Sequence, residues 1–170
     1  MADNIEIISC PACGNEMEKF YMPEQGVNLD ICVHGCGGIY FDNREFKQFD
    51  EKHENIEKII KAVEGKIFAD VDEAKVRICP VCSAPMVKNY SSYMQEIQID
   101  ECYSCGGKFL DNKELFRFRA EYNTEAERSA DMIASVYSTV GVELKRLDAR
   151  NAYHERTKSP LQRLFQSLIQ

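Results

Sequence analysis

Eight cysteines occur in this chain of 170 residues, and they fall as four close pairs. Cys10 and Cys13 open "CPACGNEM", and Cys79 and Cys82 open "CPVCSAPM". The other two pairs are Cys32 with Cys36 and Cys102 with Cys105. Thiols at such spacing can build a disulfide framework, act as a redox dithiol, or hold a metal ion. Disulfides belong to oxidising compartments. The start, "MADNIEIISC", has neither the basic nor the apolar region of a signal peptide. No stretch approaches the ~20 apolar residues that span a bilayer, so a cytoplasmic protein with no membrane span is expected. A thioredoxin-like dithiol needs one pair in a βαβ setting, whereas here the pairs come in twos. Metal binding uses every cysteine.

The pairs belong to an internal repeat. Cys10 falls on Cys79, Cys13 on Cys82 and Met17 on Met86, always 69 residues apart. "VNLDIC" (27–32) falls on "IQIDEC" (97–102), and "CGGIYFDNREF" (36–46) on "CGGKFLDNKEL" (105–115). Each copy runs C-x2-C, then 18 or 19 residues, then C-x3-C or C-x2-C. Zinc takes four thiolates in a tetrahedron, and a C-x2-C turn presents two sulfurs to one ion. Iron also accepts tetrahedral sulfur, but the second pair of each copy lacks the C-P-x-C-G of a rubredoxin-like site. Two zinc ions per chain are expected, on Cys10, Cys13, Cys32 and Cys36 and on Cys79, Cys82, Cys102 and Cys105. Gly14, Gly37 and Gly106 supply the φ > 0 backbone that such turns require. His34 lies inside the first Cys32–Cys36 loop and is an alternative ligand; the cysteines suffice without it, which predicts a solvent-facing residue.

These residues carry a resemblance. "CPACGNEM…GVNLDICVHGCGGIYFDNREF" is similar to the small bacterial zinc ribbons called transcription-factor-IIB-type zinc fingers. Their pattern is C-P-x-C, a "G-V-x-L-D-x-C" strand, and "C-x-G-[VI]-W-L-D-x-G-E-L". The eight cysteines match, as do Asp42, Glu45, Asp111, Glu114 and Leu115. Tyr40 and Phe109 replace the tryptophan, and Arg44 and Lys113 replace the glycine before the glutamate. The resemblance covers residues 8–48 and 77–117. It implies two tandem ribbons, and a link to transcription only through the family name.

Several elements must position these cysteines. "GVNLDI" and "YMQEIQIDE" alternate apolar and polar residues, the period of a strand. The expected fold is therefore a small α+β one: two short antiparallel hairpins with zinc knuckles, each followed by a helix. With little apolar sequence per copy, metal must supply much of the folding free energy, roughly 10–16 kcal/mol for a structural zinc. "DNRE" and "DNKE" pair acids that suit either acid–base catalysis or a capping box; the cap is favoured, on Asp42 with Glu45 and Asp111 with Glu114. Phe46, Phe49, His53, Ile56, Ile60 and Val63 predict one helix over 43–65, with His53 packed on its inner face, and a linker to 77. A second helical region covers 112–157, as one helix or as two with a restart at Thr124 and Glu127. Ala126, Ala130, Ile133, Tyr137, Val140, Leu144 and Leu147 repeat at 4-3 spacing, which asks for a helical partner within the chain or in a second copy. Residues 159–170 predict a short basic amphipathic helix that docks on a partner or folds back.

Charge narrows the function. Residues 1–142 hold 25 acidic against 15 basic side chains, whereas residues 143–170 hold 3 against 6. A body this acidic repels phosphate backbones. The expectation is a non-enzymatic zinc-binding adaptor for a protein partner, with the transcription machinery suggested by the family, and homodimerisation through the C-terminal helix. A nucleic-acid-binding regulator is the alternative, and an iron or redox protein a weaker one.

Overall fold

The computed structural model describes residues 6–91 and 97–157, and side chains as far as Tyr153. Residues 159–170 lie outside the described part. Each repeat builds three antiparallel strands: β1 (Glu18–Met22), β2 (Val27–Ile31) and β3 (Ile39–Phe41), then β4 (Val87–Tyr90), β5 (Gln98–Glu101) and β6 (Lys108–Leu110). β1 turns into β2 at Gly26, whose φ of 70° favours glycine. Lys19 stands opposite Asp30 and Lys88 opposite Asp100, so both hairpins carry a cross-strand charge pair at matching positions.

The two copies share one sheet. β3 pairs antiparallel with β6, Tyr40 opposite Phe109, giving the order β1-β2-β3-β6-β5-β4. A lone ribbon would expose the edge of its third strand, and pairing the two edges satisfies both. Side-chain alternation then sorts the two faces. Ile39, Phe41 and Leu110 point to a core with Leu29, Ile31, Phe46, Phe49, Leu115 and Phe118. Tyr40 and Phe109 point to the other face, among the cysteines. Central strands buried on both faces explain the unbroken apolar runs "IYF" and "FL".

The helix predicted over 43–65 is not continuous. A single 3-10 turn, Phe46–Gln48, is followed by irregular chain, and α1 spans only Glu57–Val63. The cause comes from the other repeat. Arg119 donates to the backbone oxygens of Phe49 at 2.5 Å, Lys52 at 3.1 Å and Glu54 at 2.8 Å. A helix would need those carbonyls for its own i to i+4 bonds. His53 is accordingly corrected: it is exposed, 3.1 Å from Glu51, and Ile59 and Ala62 are the buried residues of α1. Just before α1, the Asn55 side chain accepts from the Glu57 N–H at 2.9 Å, an Asx-type turn that leads into the helix.

The second region is two helices, α2 (Glu114–Glu121) and α3 (Glu125–Thr157). The restart is where Thr124 and Glu127 predict it. The Thr124 hydroxyl accepts from the Glu127 N–H, and the Glu127 carboxylate from the Asn123 N–H. The chain divides into two compact units, the first ending at Ser129 and the second starting at Ala130. Within the second, Ile133, Tyr137, Val140 and Leu144 are exposed. Among the described residues no helix is long and apolar enough to cross a membrane.

Candidate metal centres

Each repeat closes its four cysteines into one cluster. The donor sulfurs of Cys10, Cys13, Cys32 and Cys36 lie within 4.8 Å of one another, and so do those of Cys79, Cys82, Cys102 and Cys105. Paired sulfurs stand at 3.4 Å for Cys10 with Cys36 and Cys13 with Cys32. In the second cluster Cys79 and Cys105 stand at 3.5 Å, and Cys82 and Cys102 at 3.3 Å. A disulfide would hold them near 2.0 Å. Four sulfurs about 2.3 Å from one tetrahedral zinc lie roughly 3.8 Å apart. The spacing therefore fits an ion at each centre and excludes an S–S bond.

The backbone builds both clusters from matching turns. Gly14 N–H donates to the Cys10 carbonyl and Ser83 N–H to that of Cys79, both at 2.9 Å. Gly37 N–H returns to Cys32 and Gly106 N–H to Cys102. Gly14, Gly37 and Gly106 have φ of 80°, 76° and 83°, as the spacing predicts, while Ser83 adopts 60° where the first copy has glycine. The extra residue of the first loop is absorbed at Gly35, where a Cβ would stand 2.7 Å from the sulfurs of both Cys13 and Cys32. Only glycine fits there. The linker over 65–77 is part of this centre too: the Phe68 ring lies over Gly37, and the Ala69 N–H donates to the Gly35 carbonyl at 3.1 Å.

Electrostatics also call for a cation. The Ala84 N–H and then the Cys102 thiol hold Cys82 down to about 6, while burial pushes Cys105 up to about 12. Four thiols so close cannot all ionise in one another's presence. A divalent ion removes the repulsion and keeps all four as thiolates. His34 is outside the cluster: it is exposed, and its Nε2 lies 2.5 Å from the Glu18 carboxylate.

Three side chains around the centres have roles that the motif does not reveal, although it places Tyr40 and Phe109 at the tryptophan position. Tyr40, of the first ribbon, reaches the second centre, its phenol 3.3 Å from Cys79 Sγ and 3.8 Å from Cys105 Sγ. A metal-bound thiolate carries no proton, so across this contact the phenol donates and the sulfur accepts; burial and the neighbouring Cys79 raise the phenol's pKa. Phe109 takes the reciprocal place, its ring against Gly38 of the first ribbon. Arg77, two residues before Cys79, is fully buried; it donates to the Asp72 carbonyl at 2.8 Å and to Asp111 Oδ2 at 3.3 Å. The first copy has Ile8 at that repeat position, and this exchange of isoleucine for arginine was the one visible signal.

The acid pairs are turns rather than helix caps. Glu45 accepts from the Asp42 N–H at 2.8 Å and Glu114 from the Asp111 N–H at 2.7 Å, half of a capping box. Asp42 and Asp111 do not cap in return, because Arg44 at φ 75° and Lys113 at φ 69° separate them from the helical turn. The family glycine stands at these two positions for that reason: position i+2 of a type II turn needs φ > 0.

Residues 9–51 and 78–118 match the family described as Transcription factor zinc-finger. No curated protein and no solved structure matches the chain. The two matched segments coincide with the two cysteine clusters, so both centres are the zinc sites of tandem ribbons.

Proposed function

Because this chain carries two ribbons of the transcription-factor zinc-finger family, we propose that it is a non-enzymatic zinc-binding adaptor acting on a protein partner in the cytoplasm. The observation that supports this most is the donor count. Each zinc receives four cysteine sulfurs from the chain itself, which leaves no coordination position for a water or substrate. The ions then act as folding ligands, and the function falls to the surfaces they hold in place. The family description supports a partner in the transcription machinery.

The surface offered to a partner includes α3. Ile133, Val136, Tyr137, Val140 and Leu144 are exposed, and a stripe at 4-3 spacing is normally covered by another helix. The covering helix in this reading is α3 of a second copy, which buries both stripes across a two-fold axis. Ile133→Asp or Leu144→Asp should lower the mass seen by light scattering while both zinc ions stay bound. A wild-type monomer in that measurement would end the dimer reading.

The family also admits a regulator that binds nucleic acid, and the charge separates the two. With a net charge of -7, the chain should bind mixed-sequence duplex DNA no better than a non-specific ligand, about 10⁻⁴–10⁻⁶ M at physiological salt. Fluorescence anisotropy decides it. Submicromolar binding that disappears when the ribbons are mutated would replace the adaptor with the regulator.

A further inference from the structure

We propose that Tyr40, a residue of the first ribbon, is an outer-sphere hydrogen-bond donor to the second zinc site and selectively retains the ion held by Cys79, Cys82, Cys102 and Cys105. Its phenol lies 3.3 Å from Cys79 Sγ and 3.8 Å from Cys105 Sγ, so one hydroxyl addresses a ligand from each of the two knuckles. The ring is 1% exposed and is held on the central strand β3, opposite Phe109 on β6. It lies against Gly107, where a Cβ would collide with the phenol oxygen, so the glycine after Gly106 makes room for the contact.

The consequence is an inequality between the two sites. At the repeat-equivalent place the first site has Phe109, which brings a ring and no hydroxyl. A donor to a metal-bound thiolate draws charge from the sulfur and opposes its protonation, its alkylation and its departure from the ion. Solvent access runs the other way, since Cys105 is half-buried where Cys36 is buried. Tyr40 thus offsets the more open geometry of the second site. Because the donor sits in the other ribbon, retention of the second ion also depends on the shared sheet being formed.

The test uses the full zinc-loaded chain, challenged with EDTA. Pulsed alkylation with peptide mass mapping times each set of cysteines within the same molecule. Tyr40→Phe removes one oxygen and keeps the ring. It should speed loss of protection at Cys79, Cys82, Cys102 and Cys105 by roughly ten-fold or more, the size usual for an outer-shell partner, and leave the first site within about two-fold. In the cadmium-113 derivative the same substitution should shift one of the two resonances. If both sites speed equally, the residue only packs the sheet, and the proposal is wrong. It is equally wrong if neither release rate nor resonance changes.

Discussion

Lys113 has φ 69° and ψ -5°, the third-position geometry of a type II turn, with the Glu114 N–H donating to the Asp111 carbonyl at 3.1 Å. In that left-handed region a Cβ crowds the neighbouring carbonyl, at a cost of about 1–2 kcal/mol. Glycine avoids the crowding but loses about 0.5–1 kcal/mol more backbone entropy on folding. The difference makes Lys113→Gly stabilising by about 0.5–1 kcal/mol. Little is lost with the side chain, which is exposed. Lys113→Ala is the control, because it removes the side chain and keeps the Cβ. Both are measured by thermal unfolding with free zinc held constant, since a ligand that binds only the native state moves the midpoint by itself. Glycine should raise Tm by roughly 2–4 °C and alanine by less than about 1 °C. If glycine lowers Tm, or the two variants move together, the left-handed turn is not the source of the strain.

Arg44→Gly and Ser83→Gly, at φ 75° and 60°, should stabilise for the same reason, each by about 0.5–1 kcal/mol in the same melt. Arg119→Met removes the donor to three carbonyls; the buried Phe49 carbonyl alone should cost about 1–3 kcal/mol, and amide exchange over residues 50–56 should speed up. Unchanged exchange there would mean that Arg119 does not hold this segment. Burial raises Glu114 from an ordinary 4.5 to about 7, so the folded chain holds a proton that the unfolded chain releases, and stability from this group falls as pH rises through that window. Glu114→Gln keeps an acceptor for the Asp111 N–H and cannot ionise, so its advantage over the parent should grow between about pH 4.5 and 7 and level off above that in urea titrations at saturating zinc; a flat difference across that window argues against the raised carboxyl. Elemental analysis should find two zinc ions, and stripping them should abolish the sheet signal in circular dichroism, because about 10–16 kcal/mol per structural zinc matches or exceeds the whole stability of a small domain. A sheet that survives demetallation would show that the apolar core suffices.

The metal centres were legible because ligand chemistry is local. Four thiolates at knuckle spacing, with glycine after three of the four turns, leave few other ways to satisfy the sulfurs, and the clusters form as the spacing predicts. The repeat and the restart at Thr124 were legible for the same reason, being patterns over a few neighbouring residues. What escaped depends on how one copy meets the other. Nothing within "CGGIYF" says that its strand pairs with "CGGKFL", because edge pairing is decided by backbone hydrogen bonds that every residue type can make. Once that pairing exists, it carries Tyr40 to the sulfurs of the other ribbon. In the same body, Arg119 takes the carbonyls of Phe49, Lys52 and Glu54, and a helix that its apolar spacing supports gives way to a turn and a short α1. Periodicity measures the preference of a segment for itself; a guanidinium from 65 or more residues away offered those carbonyls a better donor.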